Sequence, residues 1–254
     1  MIVQDILFYI LLFTVAMLYA SVGHGGASGY LMLMALFSFT PETMRPIALV
    51  LNIFVSIVAF VPYFRQGYFR FQLFWPFAVA SIPMAFAGGL VHLNPVFYKR
   101  ILAILLIFPI LKLAGFGFGK GNQNQKSIEQ RTTMVANNFF LSLLIGGAIG
   151  FLSGMIGIGG GIILSPLILL LRWADIKTTA CVSALFIFVN SIAGFAAISS
   201  QKVTFTNQMA YMLLVALAGG FIGSYYGSSK INSNYLQRIL ALVLIVACIK
   251  LIVT

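Results

Sequence analysis

Apolar and polar residues alternate along the chain in long blocks, giving apolar segments near 6–22, 27–39, 46–63, 71–91, 96–114, 138–156, 161–171, 178–198, 207–226 and 235–253. Charged residues, prolines and glycines punctuate them. The segments are apolar on every face, a pattern that predicts buried or membrane-spanning helices and argues against the two-residue alternation of a transmembrane barrel. Segments 27–39 and 161–171 are too short to cross a hydrocarbon layer of ~30 Å comfortably, and they read as half-helices. The long polar stretch at 115–137 reads as a flexible linker between a first membrane repeat, 1–114, and a second, 138–254.

Two runs are too long for what they have to do. Ile6 to Pro41 holds no Asp, Glu, Lys or Arg over 36 residues, and Thr132 to Leu171 holds none over 40. As continuous helix the shorter run would measure ~54 Å, so each must break or double back. Glycines mark where: Gly23, Gly25 and Gly26 in the first run, and Gly157, Gly159, Gly160 and Gly161 in the second. Irregular backbone at membrane depth is tolerated where protein or a polar cavity satisfies it, which makes the two breaks paired candidates for a substrate site.

The breaks belong to a wider duplication. Gly23, Gly25 and Gly26 recur as Gly157, Gly159 and Gly160. Ser56-Ile57 recurs as Ser191-Ile192, Gly88-Gly89 as Gly219-Gly220, and Arg100-Ile101-Leu102-Ala103 with Lys112 as Arg238-Ile239-Leu240-Ala241 with Lys250. The expected fold is therefore an all-α polytopic membrane protein of two homologous halves, each with a Gly-broken helical hairpin and three further transmembrane helices. If each broken unit returns to the side it entered from, the halves are inverted repeats. That arrangement puts ten basic residues on the linker's side and five on the other, whereas a single crossing splits them seven against eight. The positive-inside rule prefers the inversion, with the linker cytoplasmic.

Composition narrows the chemistry. The chain is 61% hydrophobic and 7% charged, where a soluble domain carries about a quarter charged residues. The net charge of +11 is spread singly or in pairs at segment ends, which fits headgroup anchoring and orientation and not a nucleic-acid surface. Asp5, Glu42, Glu129 and Asp175 stand at segment ends or in the linker, so no carboxylate is placed for a cation site or a mid-membrane relay. No His, Cys, Asp or Glu cluster has metal-ligand spacing, and Cys181 and Cys248 lie apart in apolar segments. The residues thus leave a neutral or anionic solute, no cofactor and no enzymatic constellation; a channel remains the alternative to a carrier.

Within the breaks, backbone N–H groups at the starts of the half-helices and their partial positive charge suit a bound anion. Gly23, His24, Gly25, Gly26 and Ser28 form the first candidate set, and Gly157, Gly159, Gly160 and Gly161 the second. His24 is an ionisable side chain in the middle of an apolar segment, able to donate to an oxyanion or to accept a coupling proton, although its repeat counterpart is Ile158. Asn52 and Asn190 lie three residues out of register by the repeat, about one turn apart on similar faces, where they can bond a substrate or another helix. The stripes Gly146-Gly150-Gly154 and Gly219-Gly223-Gly227 read as close-packing faces, inside the protomer or across a homodimer.

On the Gly-His-Gly-Gly and Gly-Ile-Gly-Gly-Gly units, the segments around Asn52 and Asn190 and the two-half hydropathy, the sequence resembles the TauE/SafE family of sulfite and organosulfonate exporters over essentially its whole length. The resemblance implies a multi-pass inner-membrane secondary transporter for a small sulfur oxyanion such as sulfite or sulfoacetate.

Overall fold

A computed structural model describes residues 2–91, 93, 94, 96–98, 100, 101, 104, 139–171, 173–199 and 206–229. The expected linker, segment 235–253, most of segment 96–114, His92 and Cys248 lie outside the described residues. Those described form helices and connections without a strand: α1 Ile2–Ala20, α2 Ala27–Leu36, α3 Pro41–Arg65, α4 Phe71–Leu90, α5 Phe139–Ile156, α6 Gly161–Leu170, α7 Ile176–Ser199 and α8 Asn207–Ser229. Among them α3, α4, α5, α7 and α8 are long and apolar enough to cross a membrane. At ten residues each, α2 and α6 are ~15 Å long, the half-helices expected.

Local chemistry sets the ends. Pro41 opens α3, where its missing N–H costs nothing, and Glu42 and Arg65 sit at the favourable ends of the helix dipole. Asp175 caps α7, its carboxylate accepting from the Thr178 backbone N–H at 2.8 Å and from the Thr178 hydroxyl at 3.0 Å. Large apolar side chains such as Phe140, Leu144, Leu214 and Phe221 remain exposed on the outside, as a lipid-facing surface requires, while Tyr30, Phe77 and Phe186 are fully buried.

Packing follows the duplication. α4 lies on α5 and α7, α8 lies on α1 and α3, α2 lies on α3, α6 on α7, and α3 on α7. Exchanging α1–α4 with α5–α8 maps these pairings onto one another. Both glycine stripes are used inside the chain. A Cβ at Gly146, Gly150 or Gly154 would strike the carbonyls of Phe77, Ser81 and Ala85 in α4, and one at Gly219, Gly223 or Gly227 those of Phe13, Met17 and Ser21. Such close approach is what drives helix association where lipid removes the hydrophobic term. α3 and α7, counterparts in the repeat, run antiparallel: Leu49 meets Gly194, Asn52 meets Ser191, and Tyr68 meets Lys177.

Candidate functional site

Each break is a reversal in which glycines take successive jobs. Gly23, with φ +75°, ends α1 while the Gly23 and His24 N–H groups donate back to Ala20 and Tyr19. Gly157, with φ +90°, ends α5 in the same manner, with Gly157 and Ile158 donating to Ser153. Three residues on, Gly26 and Gly160 are the left-handed N-caps of α2 and α6. The shared spacing of the two clusters is thus the spacing from one helix stop to the next helix start.

The glycines between them bring the halves together. A Cβ on Gly25 would lie 2.7 Å from Asn52 Oδ1 and 2.9 Å from Ile187 Cγ2, and one on Gly159 would lie 2.7 Å from Asn52 Nδ2 and 2.8 Å from the same Ile187 methyl. By the register that pairs Ser56 with Ser191, Ile187 is the counterpart of Asn52, just as Gly159 is that of Gly25. Both breaks therefore meet across this one pair of side chains, each set at mid-length of its helix, α3 or α7.

Asn52 is the polar member and is fully buried. Its Oδ1 accepts from the Ala27 backbone N–H at 3.0 Å, and its Nδ2 donates to Ser191 Oγ at 3.4 Å. A side-chain oxygen thereby occupies the N-terminal donor of α2 and ties it to α7. At α6 the equivalent residue, Ile187, offers no acceptor.

His24 reaches across from the first break to α6. Its Nδ1 lies 3.1 Å from the Val22 carbonyl and its Nε2 3.0 Å from Ser165 Oγ, which also lies 2.8 Å from the Gly161 carbonyl and 2.7 Å from Ser183 Oγ. Since a carbonyl only accepts, Nδ1 carries a proton, and the ring's second nitrogen faces a hydroxyl able to donate or accept.

The remaining candidates are placed otherwise. Ser28 is buried beside the first break, but its hydroxyl donates to Tyr19 OH at 2.9 Å, joining α2 to α1. Asn190 turns its Nδ2 to the Phe186 carbonyl of its own helix at 2.8 Å, leaving a buried Oδ1 without a partner. Gly23 packs on Ala180, Gly26 on the Tyr30 ring, Gly157 on Arg45, Gly160 against Phe186 and Ser153, and Gly161 on Ile187. Sequence reasoning passed over Ile187, although the repeat register points to it, and read Arg45 as a segment-end anchor. Arg45 lies within α3, half-buried, and its guanidinium donates to the carbonyls of Gly88, Gly89, Val91 and Gly154.

Residues 8–251 match the family described as Sulfite exporter TauE/SafE. The chain is similar to the probable membrane transporter protein y4hK of Sinorhizobium fredii (strain NBRC 101917 / NGR234), 32% identical over 94% of this chain and 95% of that one. It is also similar to the probable membrane transporter protein YjnA of Bacillus subtilis (strain 168), 28% identical over 91% of this chain and 92% of that one. No solved structure matches it.

Proposed function

The chain belongs to the sulfite exporter TauE/SafE family, and from that premise we propose that it is a secondary transporter of the inner membrane. In this reading it exports a small sulfur-containing anion, sulfite or an organosulfonate such as sulfoacetate. That it is a multi-pass membrane transporter follows from the family and from the five helices among the described residues that are long and apolar enough to cross a membrane. The anion, its seat and the mechanism are our reading. The observation that carries them is the bond from the Ala27 N–H to Asn52 Oδ1: at the junction of the two breaks, a neutral oxygen rests on a helix N-terminus where an anion's oxygen would be favoured by about 0.3–2 kcal/mol.

The anion displaces Asn52 Oδ1 from α2 and is held between the breaks by N–H groups of the Gly25–Ser28 and Gly159–Gly161 stretches, with the Asn52 amide as side-chain donor. Asn190, whose free Oδ1 accepts, orients a hydroxyl or water accompanying it. The two halves, as inverted repeats, rock about the α3–α7 contact so that the seat opens to one side and then the other. His24 supplies coupling. When its ring is neutral, Nε2 accepts from Ser165; once the ring is protonated, Nε2 donates to Ser165 Oγ, and that hydroxyl turns to the Gly161 carbonyl or to Ser183.

Proteoliposomes loaded in turn with sulfite, sulfoacetate, thiosulfate, sulfate and a carboxylate analogue test the proposal by counterflow. A carrier shows uptake of labelled anion accelerated by the same anion on the far side. Uptake without trans-acceleration means a channel, and indifference to all sulfur oxyanions removes the substrate assignment.

A further inference from the structure

Two cations stand at corresponding ends of α3 and α7, and each binds helix-end carbonyls instead of a carboxylate. Arg45, in the second turn of α3, donates at 2.7 Å to Gly89 and at 3.2 Å to Gly88 and to Val91, all at the C-terminal end of α4. It also donates at 2.7 Å to Gly154 in α5. Lys177, in the first turn of α7, donates at 3.2 Å to the Ser228 carbonyl near the end of α8 and at 3.3 Å to Tyr68 OH. Its ammonium also lies 5.2 Å from the centre of the Tyr68 ring. Each cation therefore ties the last described helix of its own half to a residue of the other half. Because α3 and α7 are antiparallel, the two ties lie at opposite ends of the pair, with the Asn52–Ile187 junction between them.

Beside each tie a break is wedged against the opposite half. The Arg45 stem abuts Gly157, which ends α5, and Ala180, one turn along from Lys177, abuts Gly23, which ends α1. Each tie thus lies beside the break at its own end of the α3–α7 pair. A helix C-terminus carries about half a negative charge, so a guanidinium or ammonium is held there without a partner acid, and such bonds are released at less cost than a buried ion pair.

We propose that Arg45 and Lys177 are the two gate clasps of the transporter, each closing one end of the access path and each broken when that end opens. The proposal rests on the alternating-access reading above, and it makes the structure described here the state with both clasps closed. It differs from mere bracing in one respect. Cutting one clasp must shift the population toward opening at its own end, and so away from opening at the other.

Cys181 reports on the Lys177 end: it is buried, one helical turn beyond Lys177 on the same face of α7. With Cys248→Ser it becomes the chain's sole thiol, since the sequence has two cysteines. The experiment follows its modification by a water-soluble methanethiosulfonate added to both sides of proteoliposomes holding the full chain without solute. Lys177→Met should raise the rate roughly fivefold or more. Adding Arg45→Gln to Lys177→Met should lower it again by a comparable factor, with Arg45→Lys, which keeps the charge but cannot span the carbonyls, in between. An unchanged rate in Lys177→Met, or a rate that Arg45→Gln raises or leaves alone, overturns the clasps. Opposed shifts alongside failed counterflow with every anion would keep the gates and sink the substrate assignment. Normal counterflow with both substitutions raising the rate would do the reverse.

Discussion

Convergence of the breaks on Asn52 and Ile187 can be tested with three alanines. Gly67→Ala places a side chain at φ +79° with nothing within 4 Å, so it reports left-handed strain alone, about 1–2 kcal/mol. Gly25→Ala carries no positive φ, but its methyl would sit 2.7 Å from Asn52 Oδ1 and 2.9 Å from Ile187 Cγ2, so it reports overpacking alone, about 1–3 kcal/mol. Gly159→Ala has both: φ +74° and contacts of 2.7, 2.8 and 2.9 Å with Asn52, Ile187 and Ser191. Its cost should approach the sum of the other two, about 2–5 kcal/mol.

Thermal unfolding of the purified protein in detergent reads the series, with about 2–4 °C expected per kcal/mol in a chain of this size. A second substitution sharpens it. Asn52→Ser removes the amide that Gly25→Ala overlaps, so the two changes should cost at least about 1 kcal/mol less together than separately, whereas Asn52→Ser with Gly67→Ala should add. If Gly25→Ala and Gly159→Ala are no worse than Gly67→Ala, or if Asn52→Ser gives no relief, the breaks do not meet across Asn52 and the proposed seat has no foundation.

Other expectations follow from the same contacts. Asn52→Leu strands the Ala27 N–H and should cost about 1–3 kcal/mol; Asn52→Asp adds a fixed negative charge at the proposed seat and should stop anion counterflow while the protein still purifies as a single species. Asn190→Leu should change stability by less than about 1.5 kcal/mol, because the amide bonds only its own helix and its Oδ1 is already unpartnered, yet it should reduce counterflow if the site includes it. If His24 couples transport to a proton, flux should depend on pH and His24→Gln should remove that dependence; an unaltered profile removes the coupling role. Gly150→Val, driven into the Ser81 backbone, should separate α4 from α5 and prevent recovery of folded protein, as judged by size-exclusion chromatography.

Much of this architecture is readable from the sequence because a membrane leaves few alternatives. A charge-free run of 36 residues cannot be one span, so the reversal at Gly23–Gly26 and the start of α2 at Ala27 follow from length and glycine chemistry alone. The end of α6 at Leu170 follows similarly. Side-chain direction is harder. Ser28 opens α2 beside the break, but a hydroxyl on a first turn has no fixed heading, and Tyr19 of α1 claims it. Asn52 and Asn190 look equivalent as buried amides, yet a three-residue offset is enough to give one a cross-helix role and turn the other back on its own helix. Arg45 was hidden by its own charge. An apolar-run reading halts there, although α3 begins four residues earlier at Pro41 and carries the guanidinium to the end of α4.

The offset between the halves carries the mechanism furthest. A duplicated, antiparallel pair of helices with identical residues at the junction would present the same groups to a ligand twice, and a proton or anion arriving there would have no preferred end. Here the counterparts differ: Asn52 faces Ile187, His24 has Ile158 for its counterpart, and Arg45 has Ala180. The polar member of each of these pairs falls in the first half. Besides their partners in the first half, each takes one from the second: Ser191 for Asn52, Ser165 for His24 and the Gly154 carbonyl for Arg45. Every one of these bonds crosses between the halves, so relative motion of the halves must break or remake them. On the rocking proposed above, a ligand or proton that competes for Asn52 or His24 would act directly on the contact about which the halves turn, which is the differential interaction any coupled transporter requires.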